Sequence, residues 1–143
     1  MKDLIFCSDC GLPKEDCICN NNKNLSSFNR QYDELINCEI YIDTQKVSSL
    51  QRDYEKLYEK IREYSKDYTL NTNEDLEAFL NNYSNLNDEE FIKILNNEYV
   101  NNELEKNKEF FDKLDDKVLD LNQRIAIVTD EFNTQIIAGA GTG

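Results

Sequence analysis

Histidine and tryptophan are absent from this chain, proline occurs once, as Pro13, and glycine only at Gly11, Gly139, Gly141 and Gly143. Between Lys14 and Ala138 there is neither Gly nor Pro, so the strongest turn punctuation is missing from most of the chain. A sheet-rich domain of that length would need several tight turns with positive φ, whereas helices joined by Asn- and Ser-rich links would not. The middle of the chain therefore reads as helical. Basic residues are also scarce, 16 against 29 acidic ones, for a net charge of −13. Every basic stretch is diluted with Asp or Glu, which argues against a free-standing nucleic-acid binder, since phosphate contacts need clustered Lys and Arg. Apolar runs are short and mean hydropathy is −0.73, which excludes a membrane-spanning helix of about 20 apolar residues. Met1-Lys2-Asp3-Leu4-Ile5-Phe6 carries an acid and too few apolar residues for the core of about 7–15 residues in a signal peptide. Leu4-Ile5-Phe6-Cys7 has bulky residues where a lipobox needs small ones. The expectation is a cytoplasmic protein with no membrane contact. A length of 143 residues allows one ordinary domain, or a small module joined to part of another.

Cysteine, by contrast, is concentrated. Four of the five Cys, namely Cys7, Cys10, Cys17 and Cys19, fall within thirteen residues, spaced C-x2-C, six residues, then C-x-C. In a cytosolic chain this spacing reads as a metal site rather than a disulfide framework. Four thiolates can complete a tetrahedral Zn2+ shell, the closed arrangement of structural zinc. Gly11 directly after the second ligand suits a knuckle in which backbone N–H groups turn toward sulfur, and Pro13 helps close the connecting turn. The other reading is four reduced, unliganded thiols in a disordered tail. A zinc held this way would be structural, with no coordination position left for water. The string Cys7-Ser8-Asp9-Cys10-Gly11-Leu12-Pro13-Lys14-Glu15-Asp16-Cys17-Ile18-Cys19 also resembles the N-terminal zinc knuckle of archaeal start-codon-selection initiation factors, a likeness that implies the metal and not translation. The fifth, Cys38, reads as a small buried apolar residue, and Asn20-Asn21-Asn22 as a flexible link.

Val47, Leu50, Tyr54, Leu57, Ile61, Tyr64 and Tyr68 recur at alternating spacings of 3 and 4, an a/d seam for helix packing. Arg52, Asp53, Glu55, Lys56, Glu59, Lys60, Arg62 and Glu63 lie between them as a solvated mixed-charge face. An antiparallel helical hairpin is favoured over an intermolecular coiled coil, and core packing of the Tyr stripe over base stacking. Asn73 with Glu74 and Asp75 reads as an N-cap and acidic first turn, placing Leu76, Phe79, Leu80 and Tyr83 on one face. Asn87 with Asp88, Glu89 and Glu90 repeats the device for a helix expected to run through Phe91, Ile94, Leu95, Tyr99, Leu104 and Phe110-Phe111 to about Leu114. The carboxylates read as solvated helix faces without an acid–base constellation.

The last 25 residues change character. Asp120 can cap a short helix over 121–129 with Gln123 as its capping-box partner. Gln135-Ile136-Ile137-Ala138 reads as a buried strand opening into Gly139-Ala140-Gly141-Thr142-Gly143. A strand feeding a Gly-rich loop is the geometry of a phosphate cradle, in which N–H groups approach phosphate oxygens with no Cβ in the way. In the pattern G-x-x-x-x-G-K-[S/T], Ala138 holds the first place and Gly143 the sixth, and the next two, Lys and Ser/Thr, would fall beyond Gly143.

The blocks Leu119-Asp120-Leu121-Asn122-Gln123-Arg124-Ile125-Ala126-Ile127-Val128-Thr129-Asp130 and Ala138 to Gly143 together resemble the start of the ATPase core in UvrD/Rep-type superfamily 1 DNA helicases. The preceding Asn101-Asn102-Glu103-Leu104-Glu105-Lys106-Asn107-Lys108-Glu109-Phe110-Phe111-Asp112 resembles the helicase IV branch, so the likeness covers about residues 98–143. It implies that Gln123 is the Q-motif glutamine reading the adenine edge and that Arg124 supports the same pocket. It also implies that Ala138, Gly139, Ala140, Gly141, Thr142 and Gly143 wrap the phosphates of ATP·Mg2+, and that the parent moves 3′→5′ on single-stranded DNA. The expected fold is then mainly α, with three parts: a zinc knuckle over 1–22, a helical accessory region over 23–115 with a protein partner of its own, and, over 116–143, the first helix and strand of an incomplete RecA-like α/β domain. Such a chain would bind ATP weakly or not at all and would not unwind DNA, because nearly every charged part of phosphoryl transfer is missing. The alternative is a free-standing zinc-binding helical interaction protein.

Overall fold

The computed structural model describes residues 5–8, 12–17, 24–37, 39–67, 74–114 and 118–129. Among the described residues the chain is mainly helical, with six α-helices, one 3-10 turn at Lys14–Asp16, and no strand beyond a single antiparallel bridge between Phe6 and Pro13. No helix among them is long and apolar enough to cross a membrane.

Helix α1, Leu25–Leu35, starts at Asn24, whose Oδ1 accepts the N–H of Ser27 at 2.9 Å. This satisfies one of the donors that every helix start leaves unpaired. Its apolar residues Leu25, Phe28 and Tyr32 share one face and are all buried. Helix α2, Thr44–Asp67, has 24 residues, a length of about 36 Å at the usual rise. It buries Val47, Leu50, Tyr54 and Ile61 and half-buries Leu57 and Tyr64, the seam expected from the 3,4 spacing. Tyr68 lies outside the described residues. Helix α3, Glu74–Leu86, carries Glu74, Asp75 and Glu77 in its first turn and buries Leu76, Phe79, Tyr83 and Leu86. Asn73 and Cys38, to which the sequence assigned a cap and a core position, lie outside the described residues.

These three helices pack mutually, so α2 rests against both α1 and α3 rather than forming the expected two-helix hairpin. One continuous core results, running from Leu12 through α1, α2 and α3 to Leu86. Phe28 occupies its centre, with edge-on contacts to Phe79 and Tyr54 at 4.8 and 5.0 Å between ring centroids. Of the seam tyrosines, Tyr54 lies in this core and Tyr64 packs against it. The hydroxyl of Tyr54 accepts from Gln31 Nε2 at 3.0 Å, and Tyr58 stacks on Tyr83 at 4.2 Å. Polar atoms threaded through the core are matched: Tyr83 donates to Gln51 O, Asn85 Nδ2 donates to Tyr32 Oη, and Gln51 Nε2 donates to Leu86 O. Burial pushes the Tyr32 and Tyr83 phenols above their usual pKa.

Helix α4, Glu89–Lys106, opens one residue later than Asn87 would place it. Asp88 is the cap, accepting from Glu90 N and Phe91 N at 3.0 and 3.2 Å, while Asn87 turns back to donate to Tyr83 O. A carboxylate is the stronger acceptor for two converging N–H groups, and its charge suits the helix N-terminus. The helix also stops short of the expected Leu114. At its end Glu103 O accepts both Asn107 N at 3.1 Å and Asn107 Nδ2 at 2.8 Å. A separate turn, α5, Lys108–Asp112, follows, in which Phe111 is buried and Phe110 is 58 % exposed. Ile94 is likewise exposed, so the apolar stripe of α4 is thinner than its sequence suggests; Ile92 and Leu95 are the residues that lean on the core. Asn96 ties α4 to the start of α2 by holding both backbone groups of Ile42, at 2.7 and 2.9 Å.

Candidate functional site

Two places collect residues with chemistry to offer. In the first, Cys7 N donates to Leu12 O at 2.7 Å and Lys14 N donates to Ile5 O at 2.8 Å, joining the segment around Phe6 to that around Pro13 in a short antiparallel bridge. Pro13 lies within that bridge and is buried. The 3-10 turn at Lys14–Asp16 then swings the chain back, with Asp16 N and Cys17 N bonded to Pro13 O and Lys14 O. Its effect is to set Cys17 Sγ 3.5 Å from Cys7 Sγ, although the two are ten residues apart. A disulfide would bring the sulfurs to about 2.05 Å. Two thiolates on one tetrahedral Zn2+, each at about 2.3 Å, stand roughly 3.8 Å apart, and the observed separation fits that arrangement. Cys10 and Cys19, the other two of the tetrad, lie outside the described residues, and no group of three or more ligand side chains occurs among the described ones.

This segment is anchored from two sides. Leu12 is fully buried in the helical core and Cys7 packs against it. Asp16, beside Cys17, accepts from Lys60 Nζ and Tyr64 Oη, both on α2. Those two hydrogen bonds, that from Lys60 first, hold the Asp16 carboxyl below the usual carboxylate range. No local signal marks this pairing in the sequence, because its partners are 44 and 48 residues apart.

The second place is helix α6, Leu121–Val128. Asp120 caps it: its Oδ1 accepts from Gln123 N and its own N–H donates to Gln123 Oε1, both at 2.9 Å. The reciprocal capping box read from the sequence is therefore present, and it fixes the first turn. Gln123 is exposed, with its carbonyl oxygen engaged in the cap. Arg124, the next residue, is drawn the other way. Its Nε donates to Leu119 O and its Nη2 to Asp112 Oδ1, both at 2.9 Å, and its guanidinium lies 5.5 Å above the ring of buried Phe111. Asp112 is bonded to Lys108 as well, and the two cations, Lys108 first, hold its carboxyl below the ordinary range. Asp112, Phe111 and Leu119 are thus the partners of Arg124 that the sequence did not reveal. The remaining nucleotide-site candidates, Ala138, Gly139, Ala140, Gly141, Thr142 and Gly143, lie outside the described residues together with the strand expected over 135–138.

α6 is attached to the rest through α4 and α5, and it leaves Leu121 and Ile127 largely exposed, as is Val118 before it. Comparison of the chain with models of known protein families, with curated proteins and with solved structures gives no match.

Proposed function

We propose that this chain is the N-terminal part of an ATP-dependent 3′→5′ DNA helicase of the UvrD/helicase IV type, carrying a structural zinc knuckle and acting in the cytoplasm. The observation that carries the reading is the Asp120–Gln123 capping box, which opens an eight-residue helix with Gln123 and Arg124 in its first turn, ahead of the Gly-rich run ending at Gly143. That is the order in which the resemblance expects an adenine-reading helix and a phosphate loop. Gln123 would offer its amide Nε2 to adenine while its carbonyl oxygen stays in the cap, and Arg124 would brace the helix from behind through Asp112. Backbone N–H groups from Ala138 to Gly143 would face the phosphates, whose charge Mg2+ neutralises in phosphoryl transfer. DNA would be bound by parts of the parent beyond this acidic region.

Calorimetric titration with ATP·Mg2+ tests the reading. The 143-residue chain should bind weakly or undetectably, a protein extended through the ATPase core should bind, and Gln123→Ala in the longer protein should raise the ATP requirement. Saturable micromolar binding by the 143-residue chain, or turnover that survives replacement of Gly141 and Gly143, would refute it.

A second reading, a zinc-binding helical interaction protein without catalytic activity, is supported by the apolar core that α1, α2 and α3 build with Leu12, with no part of it drawn from α6. The coding sequence after Gly143 separates the two: Lys followed by Thr or Ser supports the helicase, and its absence supports the interaction protein. Both readings have Cys7, Cys10, Cys17 and Cys19 hold one Zn2+.

A further inference from the structure

We infer that the metal in the knuckle is a stabilising element of the helical body itself, so that zinc loading sets whether α1, α2 and α3 hold together. The inference rests on the zinc reading above. Its structural ground is the position of Leu12 and Asp16, which lie between the ligands in sequence and reach out of the knuckle into the helices. Leu12 has no exposed surface and belongs to the same apolar cluster as Phe28, Tyr54, Ile61 and Phe79. Asp16 binds Lys60 and Tyr64, one turn apart on α2. An apolar plug on one side of Cys17 and a charged clamp beside it therefore couple the knuckle to a helix more than 40 residues away.

The described part of the knuckle has one antiparallel bridge and one 3-10 turn, too little regular structure to fix a conformation of its own. Short segments of this kind take their folding free energy from the metal. With the metal gone, the bridge between Phe6 and Pro13 keeps only the backbone hydrogen bonds of Cys7 N to Leu12 O and Lys14 N to Ile5 O. Leu12 then loses its seat, and Asp16 is no longer presented to Lys60 and Tyr64. The helices would be left with an open apolar surface on one flank and a weaker α2.

The experiment uses the whole chain, purified under reducing conditions with zinc, with metal content and the thermal transition of the helical signal measured together. About one Zn2+ per chain is expected, and an excess of chelator should lower the midpoint of the helical transition by ~5 °C or more, reversibly on return of zinc. Asp16→Asn and Leu12→Ala should retain the zinc yet melt earlier than the parent, and in Asp16→Asn the chelator-induced shift should shrink. Should Leu12→Ala fail to fold, Asp16→Asn, at a side chain outside the apolar core, still carries the test. Bound zinc whose removal leaves the helical transition unmoved would overturn the inference and leave the zinc reading standing. A chain that holds no zinc in any preparation would overturn both.

Discussion

Replacing Phe28 by alanine probes the whole arrangement of α1, α2 and α3, because that ring is where the three helices meet. Phe28 is fully buried and stands edge-on to Phe79 and Tyr54, with Tyr83 and Tyr32 at 5.9 and 6.2 Å. Truncation of a buried Phe to Ala costs about 3–5 kcal/mol, the lost transfer free energy plus the cavity left behind. Aromatic neighbours on several sides cannot all relax into that space, which favours the upper part of the range. Against a total stability of about 5–15 kcal/mol for a domain, that is a large fraction. At roughly 4 °C per kcal/mol for a chain of this size, the midpoint should fall by about 12–20 °C. Phe28→Leu keeps most of the volume but gives up the edge-on pairs, and should cost about 1–2 kcal/mol. Phe110→Ala supplies the control, since the Phe110 ring is 58 % exposed and its loss should stay near 0.5 kcal/mol. Urea unfolding followed by the helical signal reads all three, provided the denaturant slope is unchanged. A Phe28→Ala cost no larger than that of Phe110→Ala would mean that the three helices do not share this core.

Asp120→Ala should remove the cap and the Asp120 half of the box, costing about 1 kcal/mol; faster amide exchange confined to α6, with α1 to α3 unchanged, is the expected result. Asp112→Asn should weaken the hold on Arg124 and Lys108. The Asp112 pKa is lowered in the folded state, so the stabilisation is present above the ordinary carboxylate pKa of about 3.9 and is lost as pH falls through the lower folded value. The destabilisation by Asp112→Asn should therefore be seen near neutral pH and disappear in acid. The phenols of Tyr32 and Tyr83, raised by burial, work at the other end. Their contribution is complete below about pH 10 and is lost as pH climbs toward their higher folded pKa, so phenolate absorbance should rise together with loss of helix.

How far each part could be read from the sequence follows from how local its cause is. The α2 seam was legible because each core residue announces itself by spacing along a single helix, and the α6 box because its two partners sit three residues apart. The cap of α4 was misplaced by one position since Asn87 and Asp88 are both good caps, and only the competing bond from Asn87 to Tyr83 O assigns them. The break at Asn107 carries no local mark, since Asn96, Asn97, Asn101 and Asn102 stand inside the same helix. In the N-terminal segment, the cysteine spacing singles out Cys7 and Cys17, which the structure brings within 3.5 Å of each other, whereas the roles of Leu12 and Asp16 depend on what lies across from them.

By itself the sequence determined the class of structure. Lacking Gly and Pro over most of its length and carrying apolar residues at helical spacing, the chain buries its surface as packed helices. Tertiary structure decided who meets whom. The choice of α1 and α3 as the two partners of α2, the burial of Leu12 in their core, the clamp of Asp16 on Lys60 and Tyr64, and the capture of Arg124 by Asp112 over Phe111 all join residues from separate segments. Such pairings depend on the shape and volume left when whole helices come together, which no short-range pattern encodes.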